Sequence, residues 1–114
     1  MVLHPPATAP GQLRDTFGLS RERMARLVDA SAKSIERWEA TASSPADRAM
    51  RQRWSRLQEI ADLGLLVYTR DGFQAFLTTP LPVFDGRTPL QTIEAGRERD
   101  VIAALAADYE GLGS

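Results

Sequence analysis

The amino-acid sequence predicts an all-α fold, a small helical bundle in which a helix-turn-helix region precedes a helical C-terminal region. Apolar residues recur three and four positions apart in several separate segments, as the inner stripe of an α-helix requires. Residues that cap helix starts precede these segments, sometimes with proline directly behind them, and glycine follows several of them. A chain of 114 residues with 43% hydrophobic content can bury one core.

The first two helices are short. Residues 12–17 predict a helix, because Leu13 and Phe17 lie four residues apart, and Gly18 ends it. Ser20 then suits the N-cap of a second helix of about two turns. The inner side of this second helix is formed by Met24, Ala25, Leu27 and Val28.

Residues 19–39 have the spacing of a helix-turn-helix, in which two short helices are joined by a tight turn. Such a turn usually needs a residue with positive φ, and Asp29 is of a type that tolerates it. Ser31 suits the N-cap of the second helix of the motif. Ile35 and Trp38, three residues apart, then form its inner face.

The outward side of that helix carries small or hydrogen-bonding side chains. If the helix enters a major groove, Lys33 and Arg37 can address guanine, and Ala32 can contact a thymine methyl group. Ser31 and Ser34 suit phosphates near the positive end of the helix. These five residues are the candidate DNA-binding residues. The alternative is an ordinary pair of amphipathic helices with Lys33 and Arg37 solvated.

A long helix is expected to form the centre of the bundle. Ser44, Pro45 and Asp47 predict its start, with a cap, a proline at the first helical position and an acid in the first turn. The pattern continues to about Tyr68 despite Gly64. Its predicted apolar stripe comprises Ala46, Ala49, Met50, Trp54, Leu57, Ile60 and Ala61. Its polar face carries four arginines, either solvated or in contact with phosphate: Arg48, Arg51, Arg53 and Arg56.

Shorter helices follow. Thr69 opens one over residues 69–78, which is broken by Thr79, Pro80, Leu81 and Pro82. After a connector, Thr88 and Gln91 form a capping box with proline between them, and Gly96 ends that helix. The last helix is expected from about Arg99 to Tyr109. The inner residues predicted for these three helices are Phe73, Phe76, Leu77, Leu90, Ile93, Val101, Ile102, Leu105 and Ala106.

The final six residues are expected to have lost helical character. Two glycines around a leucine, preceded by an aromatic residue, can form a flexible peptide that inserts into a partner's cleft, since glycine permits close backbone approach. The alternative is a frayed terminus. The candidate partner-binding residues are Tyr109, Glu110, Gly111, Leu112, Gly113 and Ser114.

Charge is distributed unevenly, although the net charge is −1. Residues 12–57 contain ten basic and six acidic side chains, whereas residues 58–114 contain four basic and nine acidic ones. The two parts therefore carry +4 and −5, either by chance or because one end approaches phosphate and the other meets a different partner.

Composition disfavours several classes of protein. The chain has no cysteine, its one histidine, His4, lies in a proline-rich start, and its carboxylates form no recognisable catalytic pattern. We therefore expect neither an enzyme nor a bound cofactor or metal. No apolar run approaches the ~20 residues of a membrane span, and the N-terminus lacks an export signal. A soluble, cytoplasmic protein without a membrane partner is expected, with residues 1–11 flexible.

The order of the motifs resembles that of the Xre/ParS/MbcA family of antitoxins. That family has an aromatic-Leu pair, a Pro-Asn segment, and Gly-Gly-x-x-Pro opening a Leu-rich helix. Phe76-Leu77, Thr79-Pro80 and Gly86-Arg87-Thr88-Pro89-Leu90 occupy those places here. Leu81 stands where Asn is usual, and Asp85 where the first Gly is usual. The resemblance covers about residues 12–112.

The resemblance implies a type II antitoxin that silences a RES-domain toxin, an enzyme that consumes NAD or transfers ADP-ribose from it. It implies a homodimer within a larger assembly, a C-terminal segment that covers the NAD pocket of the toxin, and repression of its own operon through operator DNA. The regions are then a flexible N-terminus (1–11), a DNA-binding region (12–44) and an antitoxin region (45–114), with toxin contacts at residues 109–114. The alternative is a stand-alone Xre-type transcriptional regulator whose C-terminal half serves dimerisation.

Overall fold

The computed structural model describes residues 10–41 and 47–112. The helices in these residues are α1 (Pro10–Phe17), α2 (Arg21–Val28), α3 (Ala32–Thr41), α4 (Arg48–Val67), α5 (Arg70–Leu77), α6 (Pro89–Glu94) and α7 (Glu98–Leu112). A 3₁₀ turn, Pro82–Phe84, lies between α5 and α6. This part of the chain contains no strand and is organised around one hydrophobic core, so the predicted all-α class is confirmed.

Helix α4 is the central element of the fold. It packs against α7 and also against α1, α2 and α5. Trp54, Leu57, Ile60 and Ala61 form its buried face. Burying a large apolar side chain stabilises a fold by about 1.5–3 kcal/mol, so this face anchors the four neighbouring helices.

Helices α4 and α7 lie side by side and point in the same direction. At the start of α7, Oε2 of Glu98 is 3.6 Å from Nη1 of Arg56, which lies near the middle of α4. At the other end, burial and the negative charge of Asp108 raise the pKa of Tyr68, the residue that follows α4. The C-terminal ends of both helices therefore lie together at one end of the molecule.

Helix α5 crosses α4 at Gly64. A Cβ atom at this position would lie 2.3 Å from two ring carbons of Phe73, so only glycine allows this approach. Phe73 is fully buried and meets Phe17 of α1 edge-on, with ring centroids 5.5 Å apart. Gly64 thus lets one aromatic ring join α1, α4 and α5.

Polar contacts also tie α1 to α5. Nη2 of Arg70 donates a hydrogen bond to the carbonyl oxygen of Asp15 at 3.0 Å. Nε2 of Gln74 donates to the carbonyl oxygens of Asp15 and Thr16 at 3.2 and 3.3 Å. The N-terminal and C-terminal helices therefore share both a core and backbone contacts, and they form one packed unit.

Three predicted helix starts are confirmed by their side-chain hydrogen bonds. Ser20 and Thr69 each accept a hydrogen bond from the backbone N–H three residues further on. Thr88 and Gln91 form the predicted capping box, and proline occupies the first turn of α6. Each pairing satisfies backbone donors that have no partner within the helix.

The start of α4 differs from the prediction. Asp47 is the N-cap and accepts a hydrogen bond from the N–H of Met50 at 3.0 Å, so it is not an acid within the first turn. Residues 44–46, which include the predicted cap and proline, lie outside the described residues. Ala49 is exposed and Met50 is half-buried, so the fully buried stripe begins only at Trp54.

Two further boundaries are corrected. Helix α1 begins at Pro10 rather than at residue 12, so the end of the segment expected to be flexible is helical; residues 1–9 are outside the described part. The connector after α5 contains the 3₁₀ turn, which buries Phe84 in the core and ends at Asp85 in a left-handed conformation. Helical periodicity could not detect Phe84, because one 3₁₀ turn is shorter than any repeat.

None of the helices in the described residues is long and apolar enough to span a membrane.

We expect Gly64→Ala to lower the free energy of unfolding by about 1–3 kcal/mol, because the added methyl group overpacks the core against Phe73. Gly111→Ala is the matched control. No atom lies within 4 Å of a Cβ at Gly111, so alanine should stabilise α7 by up to about 1 kcal/mol. Urea unfolding followed by circular dichroism measures both changes. Equal stability of the Gly64→Ala variant and the wild type would contradict the close approach of α5.

Candidate functional site

Helices α2 and α3 are joined by a three-residue turn with the predicted left-handed residue. Asp29 has φ 56° and ψ 47°, and its backbone N–H donates to the carbonyl oxygen of Ala25. The N–H of Ala30 donates to the same oxygen at 2.9 Å. At the start of α3, Oγ of Ser31 accepts a hydrogen bond from the N–H of Ser34 at 3.1 Å, as the predicted cap requires.

The inner faces of this helix pair are buried as predicted. Met24 and Ala25 of α2 and Ile35 and Trp38 of α3 are all in the core. Trp38 meets Trp54 of α4 edge-on, with ring centroids 5.8 Å apart. The inner side of α3 is thus held against the N-terminal half of α4, and its other side faces solvent.

All five predicted DNA-binding residues lie at the start of α3 or within its first two turns. Ser31, Lys33 and Arg37 are exposed, while Ala32 and Ser34 are half-buried. Lys33 and Arg37 lie four residues apart, on one side of the helix. The two serine hydroxyls are hydrogen-bonded to each other, with Oγ atoms 3.0 Å apart, so the cap also orients Ser34.

Glu39, near the end of α3, connects the three N-terminal helices. Its two carboxylate oxygens accept hydrogen bonds from Nε and Nη2 of Arg14 on α1, and Oε1 also accepts from Nε of Arg21 on α2 at 2.9 Å. Burial opposes ionisation of Glu39, but these hydrogen bonds outweigh it and hold the pKa of its carboxyl below the ordinary value. The same contact raises the pKa of Arg14. The network fixes α3 relative to α1 and α2.

Sequence reasoning did not identify Glu39 as a structural residue. Arg14 and Arg21 precede it by 25 and 18 residues, and no local spacing connects such distant positions. The pairing becomes visible only when α1, α2 and α3 are assembled.

A second ion pair joins α2 to α6, across the two predicted regions. Nε of Arg23 is 3.3 Å from Oε2 of Glu94, and Nη2 of Arg23 is 3.4 Å from Oε1 of Glu94. Both side chains are partly solvated, so water screens much of their attraction. Their contribution is mainly to orient α2 against the C-terminal helices.

The structure corrects the predicted C-terminal tail. Tyr109, Glu110, Gly111 and Leu112 form the last turn of α7, so the expected loss of helical character is wrong for these four residues. The helix continues because alanines precede this turn and one glycine costs a helix only about 1 kcal/mol relative to alanine. Gly113 and Ser114 lie outside the described residues.

The inner stripe of α7 extends beyond the helix that covers it. Val101 and Leu105 are fully buried, but Tyr109 is 47% exposed and Leu112 is 65% exposed. Both exposed residues continue the helical spacing of the buried ones. They lie beyond the part of α7 that is buried against α4.

The predicted burial of Ile102 and Ala106 is also only partly correct. Both side chains are half-buried, whereas the structure buries Glu98, which the prediction had placed outside the helix. Helix α7 therefore shows an apolar side wider than the surface that packs against it.

The start of α7 forms a shallow cleft against α4, lined by paired charges. Arg56 faces Glu98, and Nε of Arg97 is 2.9 Å from Oδ2 of Asp100. Within residues 10–41 and 47–112, no three His, Cys, Asp or Glu side chains are grouped so that they could hold a metal ion.

The described molecule thus presents an exposed helix at one end of α4 and an uncovered helical end at the other. No protein-family model matches the chain. It is 31% identical over 98 residues to the mycobacterial cidal antitoxin MbcA of Mycobacterium tuberculosis and of Mycobacterium bovis, and the alignment covers 86% of this chain and 86% of the relative. These relatives are antitoxins, and the likeness spans most of both chains.

A solved structure agrees with this likeness. The fold matches a chain in the crystal structure of the M. tuberculosis MbcT–MbcA toxin–antitoxin complex, with a TM-score of 0.74 and 28% sequence identity. The match covers 96% of this chain and 97% of that chain. The class of protein is therefore an antitoxin of a toxin–antitoxin system. Within that class, the chain belongs to the MbcA family, as the resemblance in its motifs implied.

We expect Glu39→Gln to lower the free energy of unfolding by about 1–3 kcal/mol at neutral pH, because the charged acceptor of two arginines is lost. Since folding lowers the pKa of Glu39, its contribution is fully present above the ordinary pKa of 4.5 and is lost as pH falls through the lower folded-state value. The difference between wild type and variant should therefore shrink in acid. Urea unfolding at several pH values measures it.

Glu36→Gln is the control, because Glu36 is an exposed carboxylate on the same helix. A Glu39→Gln variant that behaves like Glu36→Gln would show that the contacts with Arg14 and Arg21 add no stability.

Proposed function

We propose that this chain neutralises a RES-domain toxin by occluding its NAD pocket, and that it represses its own operon through a helix-turn-helix formed by α2 and α3. The observation that carries this proposal is the likeness, over nearly the whole chain, to an antitoxin that was solved in complex with its toxin. The structural likeness covers 96% of this chain.

The end of α7 supports the toxin-binding part of the proposal. Tyr109 and Leu112 are large apolar side chains left exposed on a helix that is already formed. A preformed helix pays little ordering entropy on binding, and aromatic side chains are frequent anchors of protein interfaces. Blocking a cofactor pocket needs only complementary shape and a few placed contacts, so no catalytic residue or cofactor of the antitoxin is involved. The contacts are assigned to Tyr109, Glu110, Gly111, Leu112, Gly113 and Ser114.

The surface of α3 supports the DNA-binding part. Lys33 and Arg37 are exposed on one side of a helix whose other side is held by the core and by Glu39. A rigidly held helix can enter a major groove with its first two turns, where long basic side chains reach guanine edges. Ala32 contacts a thymine methyl group, and Ser31 and Ser34 lie next to phosphates.

The same proposal assigns the regions and the assembly. Residues 12–44 bind operator DNA, residues 45–114 bind the toxin, and two chains form a homodimer that matches a two-fold operator. The complex acts in the cytoplasm. A stand-alone Xre-type regulator is the second candidate, favoured by the exposed basic positions on α3. An adjacent gene for a RES-domain toxin favours the first function, and its absence favours the second.

We expect deletion of residues 109–114 to abolish protection when the chain is co-expressed with the toxin of the adjacent gene. Growth and cellular NAD should fall to the levels seen with toxin alone, because the exposed apolar contacts are lost. Thermal unfolding of the truncated chain controls for folding, since the described residues removed are exposed. Full protection by the truncated chain would contradict the proposed role of residues 109–114.

We expect Lys33→Ala and Arg37→Ala each to weaken the complex with operator DNA by roughly 1–3 kcal/mol, as loss of a direct base contact does. Binding to operator and to scrambled DNA is measured by fluorescence anisotropy. Arg87→Ala, which removes an exposed arginine outside α3, is the charge-matched control. An equal loss on both DNA sequences would assign the two side chains to phosphate rather than to bases.

A further inference from the structure

The cleft at the start of α7 contains a buried carboxylate that makes no hydrogen bond within the described residues. Glu98 lines this cleft, and its side chain is 2% exposed. Its Oε1 has no hydrogen-bond partner, and its Oε2 is 3.6 Å from Nη1 of Arg56, which is longer than a hydrogen bond. Buried polar groups are normally hydrogen-bonded, so this carboxylate calls for a donor from outside the chain.

Two arginines of the cleft are already paired with its acids. Nε of Arg97 is 2.9 Å from Oδ2 of Asp100, and Arg56 is the counter-ion of Glu98. Each of these pairs is neutral as a unit. Any net charge at the cleft therefore comes from other groups.

Two further arginines lie at the cleft without a carboxylate partner among the described residues. Arg99 lines the cleft and is exposed. Arg53 lies at its border, since a Cβ atom at Gly96 would be 3.5 Å from Nη2 of Arg53. The first backbone N–H groups of α7 add partial positive charge at the same place. The cleft therefore attracts an anion, and guanidinium groups match the oxygen atoms of phosphate.

The buried carboxylate of Glu98 restricts which anion the cleft can accept. A carboxylate accepts hydrogen bonds and donates none, so it repels an oxyanion that carries no donor. Sulfate is such an anion at neutral pH, whereas hydrogen phosphate retains an O–H group. A phosphate ester with a hydroxyl group on its organic part offers the same combination of charge and donor. The cleft has a volume of about 430 Å³, within the range of roughly 300–1,000 Å³ typical of small-molecule sites, which favours the ester.

We propose that this cleft binds a phosphate ester of a small hydroxylated molecule, such as a sugar phosphate. Arg53 and Arg99, with the start of α7, contact the phosphate oxygens, and Glu98 accepts a hydrogen bond from the hydroxyl group. The DNA backbone does not fit, because its phosphodiester groups carry no hydroxyl and would meet Glu98 with like charge. The site uses no residue of α3 or of residues 109–114, so it does not depend on the function proposed above.

The test is calorimetry on the full-length chain at constant ionic strength, with ribose 5-phosphate, hydrogen phosphate and sulfate as separate probes. Ribose 5-phosphate should bind most tightly. Sulfate should bind more weakly than hydrogen phosphate by about tenfold or more, because it offers Glu98 no donor. Glu98→Gln should remove this preference, since a carboxamide can donate to either anion. Asp108→Asn, at an exposed acid further along α7, is the matched control and should preserve it.

A second pair of variants tests the site if Glu98→Gln does not fold. Arg99→Ala should weaken the binding of ribose 5-phosphate by about tenfold or more, because a hydrogen bond between charged groups is lost. Arg87→Ala, at an exposed arginine outside the cleft, should leave this binding unchanged.

Each other outcome has a defined meaning. Equal affinity of the wild type for hydrogen phosphate and sulfate would contradict the role of Glu98 and overturn the proposal. Equal losses with Arg99→Ala and Arg87→Ala would assign binding to the overall charge and also overturn it. No binding of ribose 5-phosphate or hydrogen phosphate by the wild type would overturn the site itself. Hydrogen phosphate that binds as tightly as ribose 5-phosphate would support the site but identify free phosphate, not the ester, as its ligand.

Discussion

Close packing around α4 is the constraint on which the rest of the structure depends. One face of this helix is apolar over much of its length, and burying it requires several other helices rather than one. Gly64 allows α5 to approach closely enough for Phe73 to fill the space between α1, α4 and α5. The positions of the remaining helices follow from this arrangement, because interiors at native density leave few alternative placements.

The two proposed binding surfaces are consequences of what α4 covers and what it leaves uncovered. Trp54 in its first half holds Trp38, so α3 is fixed by its inner side and exposes Lys33 and Arg37. Its second half packs against α7 but leaves Tyr109 and Leu112 exposed. Trp54 and Val67, the last residue of α4, are about 20 Å apart along the helix axis, so the two surfaces are well separated.

Polar and charged contacts fix the N-terminal helices relative to the C-terminal ones. Two basic side chains of the N-terminal part, Arg14 and Arg21, hold α3 in place because both bind Glu39. Contacts of Arg23 with Glu94 and of Arg70 with Asp15 connect the N-terminal helices to the C-terminal ones. These contacts hold the helix pair rigidly on the body of the molecule.

The sequence alone determined the helices whose ends are marked by local chemistry, and the family. Ser20, Asp29, Thr69 and the Thr88–Gln91 box act on neighbouring backbone groups, so their effect could be predicted without the fold. Only the tertiary structure decided that Glu39 pairs with Arg14 and Arg21, that Glu98 is buried, that Phe84 joins the core, and that the last turn of α7 is helical but uncovered. These features depend on residues that are distant in the sequence. Which side chain is covered is decided by where a neighbouring helix ends, and helical periodicity does not contain that information.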